Sequence, residues 1–147
     1  MSEPDVPADG ANLVSDWRDL LARQAATACA LDRELGELHG LGMSEFEVLE
    51  RLYEDERKPL HETRLRVQDL SAQVHLSQSA LSRLIGRLEK AELVERAMCS
   101  SDRRGIYVTL TEAGRQRYED ARPVHREVLA RTLGGGPGAP GGKRQDG

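Results

Sequence analysis

A chain of 147 residues has room for a single domain with its own core and leaves none for a second. With 31% charged and only 3% aromatic residues, that core has to be built from Leu, Val, Ile and Ala, which favours packed helices over an aromatic-rich sheet. The net charge of −4 excludes a surface that is basic all over, but it hides an asymmetry: residues 1–63 carry 6 basic against 15 acidic side chains, residues 64–104 carry 8 against 5, and residues 105–147 carry 7 against 5.

Residues 1–11 are polar with two prolines, and residues 134–147 hold seven glycines and two prolines, so both ends read as disordered around one folded unit at 12–133. From Leu13 to Leu38 there is no proline, and Val14, Trp17, Leu21, Ala28, Leu31, Leu35 and Leu38 form a heptad-like seam interrupted at Gln24. At ~1.5 Å per residue the resulting helix is about 40 Å long, more than the domain's own core needs. Part of the seam is therefore expected to meet a second copy of the chain, the alternative being an internal core helix.

Gly40 and Gly42 end this helix, and Ser44 to Glu47 has the spacing of a capping box with Ser44 as N-cap, which predicts a second helix from about Glu45 to Glu54. Lys58-Pro59 stops it, and a polar loop runs to Arg66. Val67 to Val74 makes a short third helix. His75-Leu76 is a tight turn, and Ser77 starts a fourth helix. Leu93 to Met98 and Ile106 to Leu110 are β-prone and flank the polar turn Cys99 to Gly105, which predicts a hairpin with a basic tip. Thr111 caps a last helix through about Leu133, in which Pro123 forfeits a hydrogen bond and predicts a kink. The expected fold is mostly α with a small β-hairpin wing, a winged helix-turn-helix in which helices 13–38 and 112–133 dimerise.

The fourth helix carries the sharpest functional signal. Placed at ~100° per residue from Gln78, the apolar set Ala80, Leu81, Leu84, Ile85 and Leu88 falls between roughly 200° and 340°, and Gln78, Ser79, Ser82, Arg83, Gly86 and Arg87 fall between roughly 0° and 180°. That second face offers amides, hydroxyls and two arginines with no carboxylate, the chemistry needed to read base edges and touch phosphate, with Ser77 at its start. A merely solvated face would usually mix in Asp or Glu. The hairpin adds Arg96, Arg103 and Arg104; arginines on such a wing can reach a narrow minor groove, and Asp102 is placed to pair with Arg104 and not with phosphate. Because phosphate attraction is screened over ~8 Å, this local basic stripe matters more than the net charge, and the acidic N-terminal part must face away from DNA.

Leu76-Ser77-Gln78-Ser79-Ala80-Leu81-Ser82-Arg83-Leu84-Ile85, Arg87-Leu88-Glu89, Leu93-Val94, Asp102-Arg103-Arg104 and Val108-Thr109-Leu110-Thr111-Glu112-Ala113-Gly114 together resemble the multiple-antibiotic-resistance-regulator (MarR) family of winged helix-turn-helix repressors. The resemblance implies a homodimer on a near-palindromic operator in double-stranded DNA, often released by a small phenolic ligand or by cysteine oxidation. It also implies an effector pocket between the dimer helices and the winged domain, for which Trp17, His39, Met43 and Phe46 are candidate lining residues, although each equally fits a core. The chain departs from the family in two places. His75 stands where the helix-turn-helix turn often has glycine, and the glycine-rich tail replaces the usual last apolar helix, so dimerisation would rest on the first and last helices alone.

Other chemistry finds little support. His39, His61, His75 and His125 pair with neither cysteine at a zinc-ligand spacing, and no nucleophile–base motif or phosphate loop is present, so no metal, cofactor or catalytic activity is expected. Cys29 lies among alanines, where a small buried hydrophobe and a sensor thiol are both admissible; Cys99 lies beside the wing arginines, whose charge favours a thiolate, but also fits a plain turn. No run approaches the ~20 apolar residues of a membrane span, and no export signal is evident, which points to the cytoplasm. The leading reading is thus a DNA-binding transcription regulator. The alternative is a winged-helix protein-interaction module, an anti-regulator that does not bind DNA.

Overall fold

The computed structural model describes residues 10–58, 65–98 and 106–134, in the order α1 (Gly10–His39), α2 (Met43–Asp55), α3 (Val67–Val74), α4 (Gln78–Lys90), β1 (Val94–Met98), β2 (Ile106–Leu110) and α5 (Glu112–Leu133). The helix of the N-terminal seam begins at Gly10, so Gly10 and Ala11 are helical where disorder is expected from composition. It packs chiefly along α5, burying Thr27, Ala30, Leu31 and Leu35 from its C-terminal half. Thr27 donates its hydroxyl hydrogen to Thr132 Oγ1, near the end of α5, at 2.8 Å.

α1 stops because Gly40 takes the left-handed conformation (φ 68°) that a Cβ would penalise. Gly40 N then donates to Gly36 O at 3.1 Å, the single bond of an αL helix end, and Leu41 N donates to Leu35 O at 3.2 Å. α2 starts two residues before the expected Glu45, and its N-cap is Gly42, not Ser44. The reason is a cap supplied from outside the segment: Asp32 on α1 accepts from Met43 N at 2.7 Å through Oδ1, and Glu45 Oε1 accepts from Gly42 N at 2.8 Å. Both oxygens satisfy N–H groups that a helix start leaves without intrahelical partners, so the Ser44 hydroxyl is not needed.

The α3–α4 turn depends on His75, which sits at φ 59°, ψ 43° as the C-cap of α3. Ser71 fastens the turn by donating its hydroxyl hydrogen to Leu76 O at 2.8 Å, and Ser77 caps α4 by accepting from Ala80 N at 3.1 Å. β1 and β2 pair antiparallel from Val94↔Leu110 to Met98↔Ile106, and Arg66 adds a bridge to Tyr107. Thr111 then joins hairpin to last helix: its Oγ1 accepts from Gly114 N at 2.9 Å and donates to Glu92 O at 2.8 Å, and its backbone N–H donates to Leu93 O at 3.0 Å. α5 continues through Pro123 to Leu133.

One core runs through all of these elements. Leu35, Leu41, Phe46, Leu49, Leu70, Leu81, Ile85, Leu88, Val108, Tyr118 and Val128 are essentially inaccessible. At about 1.5–3 kcal/mol for each large apolar side chain removed from water, this set is what holds α4 and the hairpin against α2 and α5.

Candidate nucleic-acid interface and adjoining cleft

α4 divides along its axis as its sequence periodicity predicts. Leu81, Leu84, Ile85 and Leu88 are buried, while Ser77, Gln78, Ser79, Ser82, Arg83 and Arg87 are all exposed. The exposed side chains project donors and acceptors from one face, and the αL turn at His75 sets the angle at which that face leaves α3. Among the described residues Arg83 makes no hydrogen bond or ion pair, so its guanidinium is available to a ligand. Arg87 differs, because its Nε donates to Glu45 Oε2 at 3.2 Å while the side chain stays 61% exposed. Arg96 on β1 is tied in the same way to Glu89 Oε1 at 3.0 Å. The wing candidates Arg103 and Arg104, the pairing residue Asp102 and Cys99 lie outside the described residues, as does His61.

Behind the helix-turn-helix lies a cleft of about 770 Å³. Leu31, Met43, Val74, Leu76 and Leu129 give it an apolar lining, and Glu47, Glu50, Arg51, His75, His125 and Arg126 line it with polar and charged groups. A smaller groove of about 310 Å³ between α1 and the end of α5 shares Met43. Of the four side chains proposed from the resemblance to line an effector pocket, Met43 faces both spaces. Phe46 is instead fully buried, stacked on His125 with centroids 4.3 Å apart. Trp17 lies 58% exposed on α1 and lines neither space, nor does His39, whose carbonyl accepts from Arg117 Nη1 at 3.1 Å. Cys29 is exposed on α1 and not the buried hydrophobe its alanine-rich setting suggests.

Sequence patterning misses the charged network at the cleft floor. Glu50 sits on the buried face of α2, where its Oε2 accepts from Tyr118 OH at 2.6 Å and from Arg126 Nη2. Burial alone would raise the Glu50 carboxyl, but these hydrogen bonds, led by that from Arg126, outweigh it and hold it below the usual range. Burial and then the hydrogen bond to Glu50 push Tyr118 up to about 12, and burial followed by the Arg126 charge lowers His125. Glu47, Glu50 and His125 bring potential ligand atoms within 4.8 Å of one another. Two of them already meet a cation, the Arg126 guanidinium, which reaches Glu50 Oε2 and stands 2.6 Å from His125 Nδ1, while Glu47 pairs with Arg51 Nε at 3.4 Å. One sequence signal marks this network: Glu50 lies four residues after Phe46 and three before Tyr53, so it interrupts an apolar stripe with a group that needs a partner.

A short helix, an αL turn, a helix with an open polar and basic face, and an antiparallel hairpin packed beside it define a winged helix-turn-helix. Residues 41–106 match the model of the MarR family. The chain is 32% identical over 87 residues to the HTH-type transcriptional regulator MhqR of Bacillus subtilis, a match covering 59% of this chain and 55% of that protein. The chain thus spans little more than half the length of that curated relative. The structure superposes on AbsC, a MarR family transcriptional regulator from Streptomyces coelicolor, with a TM-score of 0.72 and 32% identity over 90% of this chain and 82% of the other. It also superposes on Sco3205, a MarR family regulator from the same organism in complex with DNA, with a TM-score of 0.73 and 28% identity over 90% and 79% of the two chains. The chain belongs to the MarR family. No helix among its described residues is long and apolar enough to cross a membrane.

Proposed function

We propose that this chain is a DNA-binding transcription regulator that inserts α4 into the major groove and lays its hairpin against the neighbouring minor groove. The observation that carries the reading is the division of α4, with Leu81, Leu84, Ile85 and Leu88 of its inner face buried and Gln78, Ser79, Ser82, Arg83 and Arg87 exposed together. That face has the donors, acceptors and cations used for base edges and phosphate, and no carboxylate to repel the backbone.

Two copies are needed to address a near-palindromic site, with recognition helices one DNA turn, ~34 Å, apart. The exposed stripe Leu13, Val14, Trp17, Leu20 and Leu21, each 44–58% accessible, supports pairing through α1. The 770 Å³ cleft, bounded by the α1 and α5 helices on one side and by α2 and the α3–α4 turn on the other, supports a small-molecule effector. Such a molecule would release DNA only by favouring a dimer geometry in which the two α4 helices miss the groove spacing.

Gel retardation with duplexes selected from a randomised pool and with the flanking intergenic DNA tests the proposal. The expected result is retention that depends on sequence and weakens steeply with salt as released counterions return to the DNA. Absence of retention on every duplex at low salt would replace it with the protein-interaction reading.

A further inference from the structure

Arg83 and Arg87 occupy the same face of α4 but are held differently, and the difference originates outside the helix. Glu45, in the first turn of α2, uses Oε1 to accept from Gly42 N at 2.8 Å and Oε2 to accept from Arg87 Nε at 3.2 Å. The same helix start is fixed to α1 by Asp32 Oδ1, which accepts from Met43 N at 2.7 Å. The Glu45 side chain is only 19% exposed, so its orientation is set by the protein and not by solvent. Anchored by Nε alone, the Arg87 guanidinium keeps both Nη groups for an external acceptor, in a plane fixed by the carboxylate.

We infer that Glu45 is a positioning residue for DNA binding: it pre-orients Arg87 for a phosphate or base edge and ties the recognition helix to the α1–α2 corner. The inference rests on the DNA-binding reading above. An arginine on a free stem loses rotamer freedom when it docks, and one already held loses less, so the held side chain binds more tightly for the same contacts. Glu45 carries negative charge near the DNA-facing surface. It is tolerated there because the N-terminus of α2 and the Arg87 guanidinium compensate it.

A double-mutant cycle on a duplex selected by the natural protein separates the possibilities, using Glu45→Ala, Arg87→Ala and the combination, with thermal midpoints recorded for each. Arg87→Ala is expected to weaken binding. Glu45→Ala is expected to weaken it by about two- to twelvefold per protomer, from the cost of ordering one rotamer-rich side chain. In the Arg87→Ala background the Glu45→Ala effect on binding should vanish, while its effect on stability, through the lost cap, should persist. Glu45→Gln, which keeps one acceptor oxygen but sets an amide NH2 where the other N–H group now finds one, should recover only part of the affinity. Equal weakening in both backgrounds would make Glu45 a structural cap only, tighter binding by Glu45→Ala would make it a competitor of phosphate, and unchanged binding by Arg87→Ala would remove Arg87 from the interface. Each of these three results overturns the inference, whereas failure of the natural protein to retain any duplex overturns the DNA-binding reading itself.

Discussion

Two arginines four residues apart on one helix are not equivalent readers. Arg83 has no internal partner among the described residues, so its loss should be felt only through DNA. Arg83→Ala is expected to reduce discrimination between a selected and a random duplex by about 1–3 kcal/mol, measured by competition binding, with no change in thermal midpoint. An equal loss on both duplexes would identify a phosphate contact instead. His75 offers a second test, because its αL backbone is where a side chain is least welcome. It is also exposed, so replacement removes little packing. Val at this position should leave the protein on the order of 2 kcal/mol less stable than Gly does, read from urea midpoints, since a β-branched residue resists positive φ most strongly.

Among elements, the junction of hairpin and α5 is the least forgiving. A Cβ built on Gly114 would stand 2.0 Å from Leu93 O, a backbone atom at the base of β1 that already accepts from Thr111 N at 3.0 Å. Gly114→Ala is therefore expected to destabilise by about 1–3 kcal/mol or more, with an unchanged denaturant slope, and to weaken DNA binding beyond that by displacing the wing. A fully stable variant would show that the junction can shift. The sequence shows the elements but not this crowding. The boundaries of α3, β2 and α5 are legible because periodicity and the Ser77 and Thr111 caps are local signals. The start of α2 is not, because the oxygen that caps Met43 comes from Asp32, eleven residues earlier on another helix. For the same reason the polar face of α4 can be read from its own residues, while the Glu45–Arg87 tie and the Glu50–Tyr118–Arg126 network appear only once separate helices meet.

The whole molecule is divided between a half that is finished and a half that is not. From Thr27 onward α1 contributes to the core, whereas from Leu13 to Leu21 it presents an uncovered apolar stripe. Replacing Trp17 by Glu should convert a sedimenting dimer into a monomer at micromolar concentration and reduce operator affinity, while leaving far-ultraviolet helicity largely intact. A variant that remains dimeric would place the pairing surface elsewhere. Deleting 134–147 is expected to leave the proposed dimerisation unchanged, because the stripe lies at the opposite end of the sequence.

Pairing through the open stripe, as proposed, would also shape how the protein responds to its own abundance. If Leu13, Trp17 and Leu20 are buried against a second protomer, the protein would bind a two-sided operator in proportion to the square of its concentration when dimers are scarce. Titrations below the dimerisation midpoint should therefore be sigmoidal, with a limiting slope near two, and should become hyperbolic above it. In a dividing cell that curvature acts as a threshold: diluting the protein by half would empty most of a quarter-filled site, and modest synthesis would refill it.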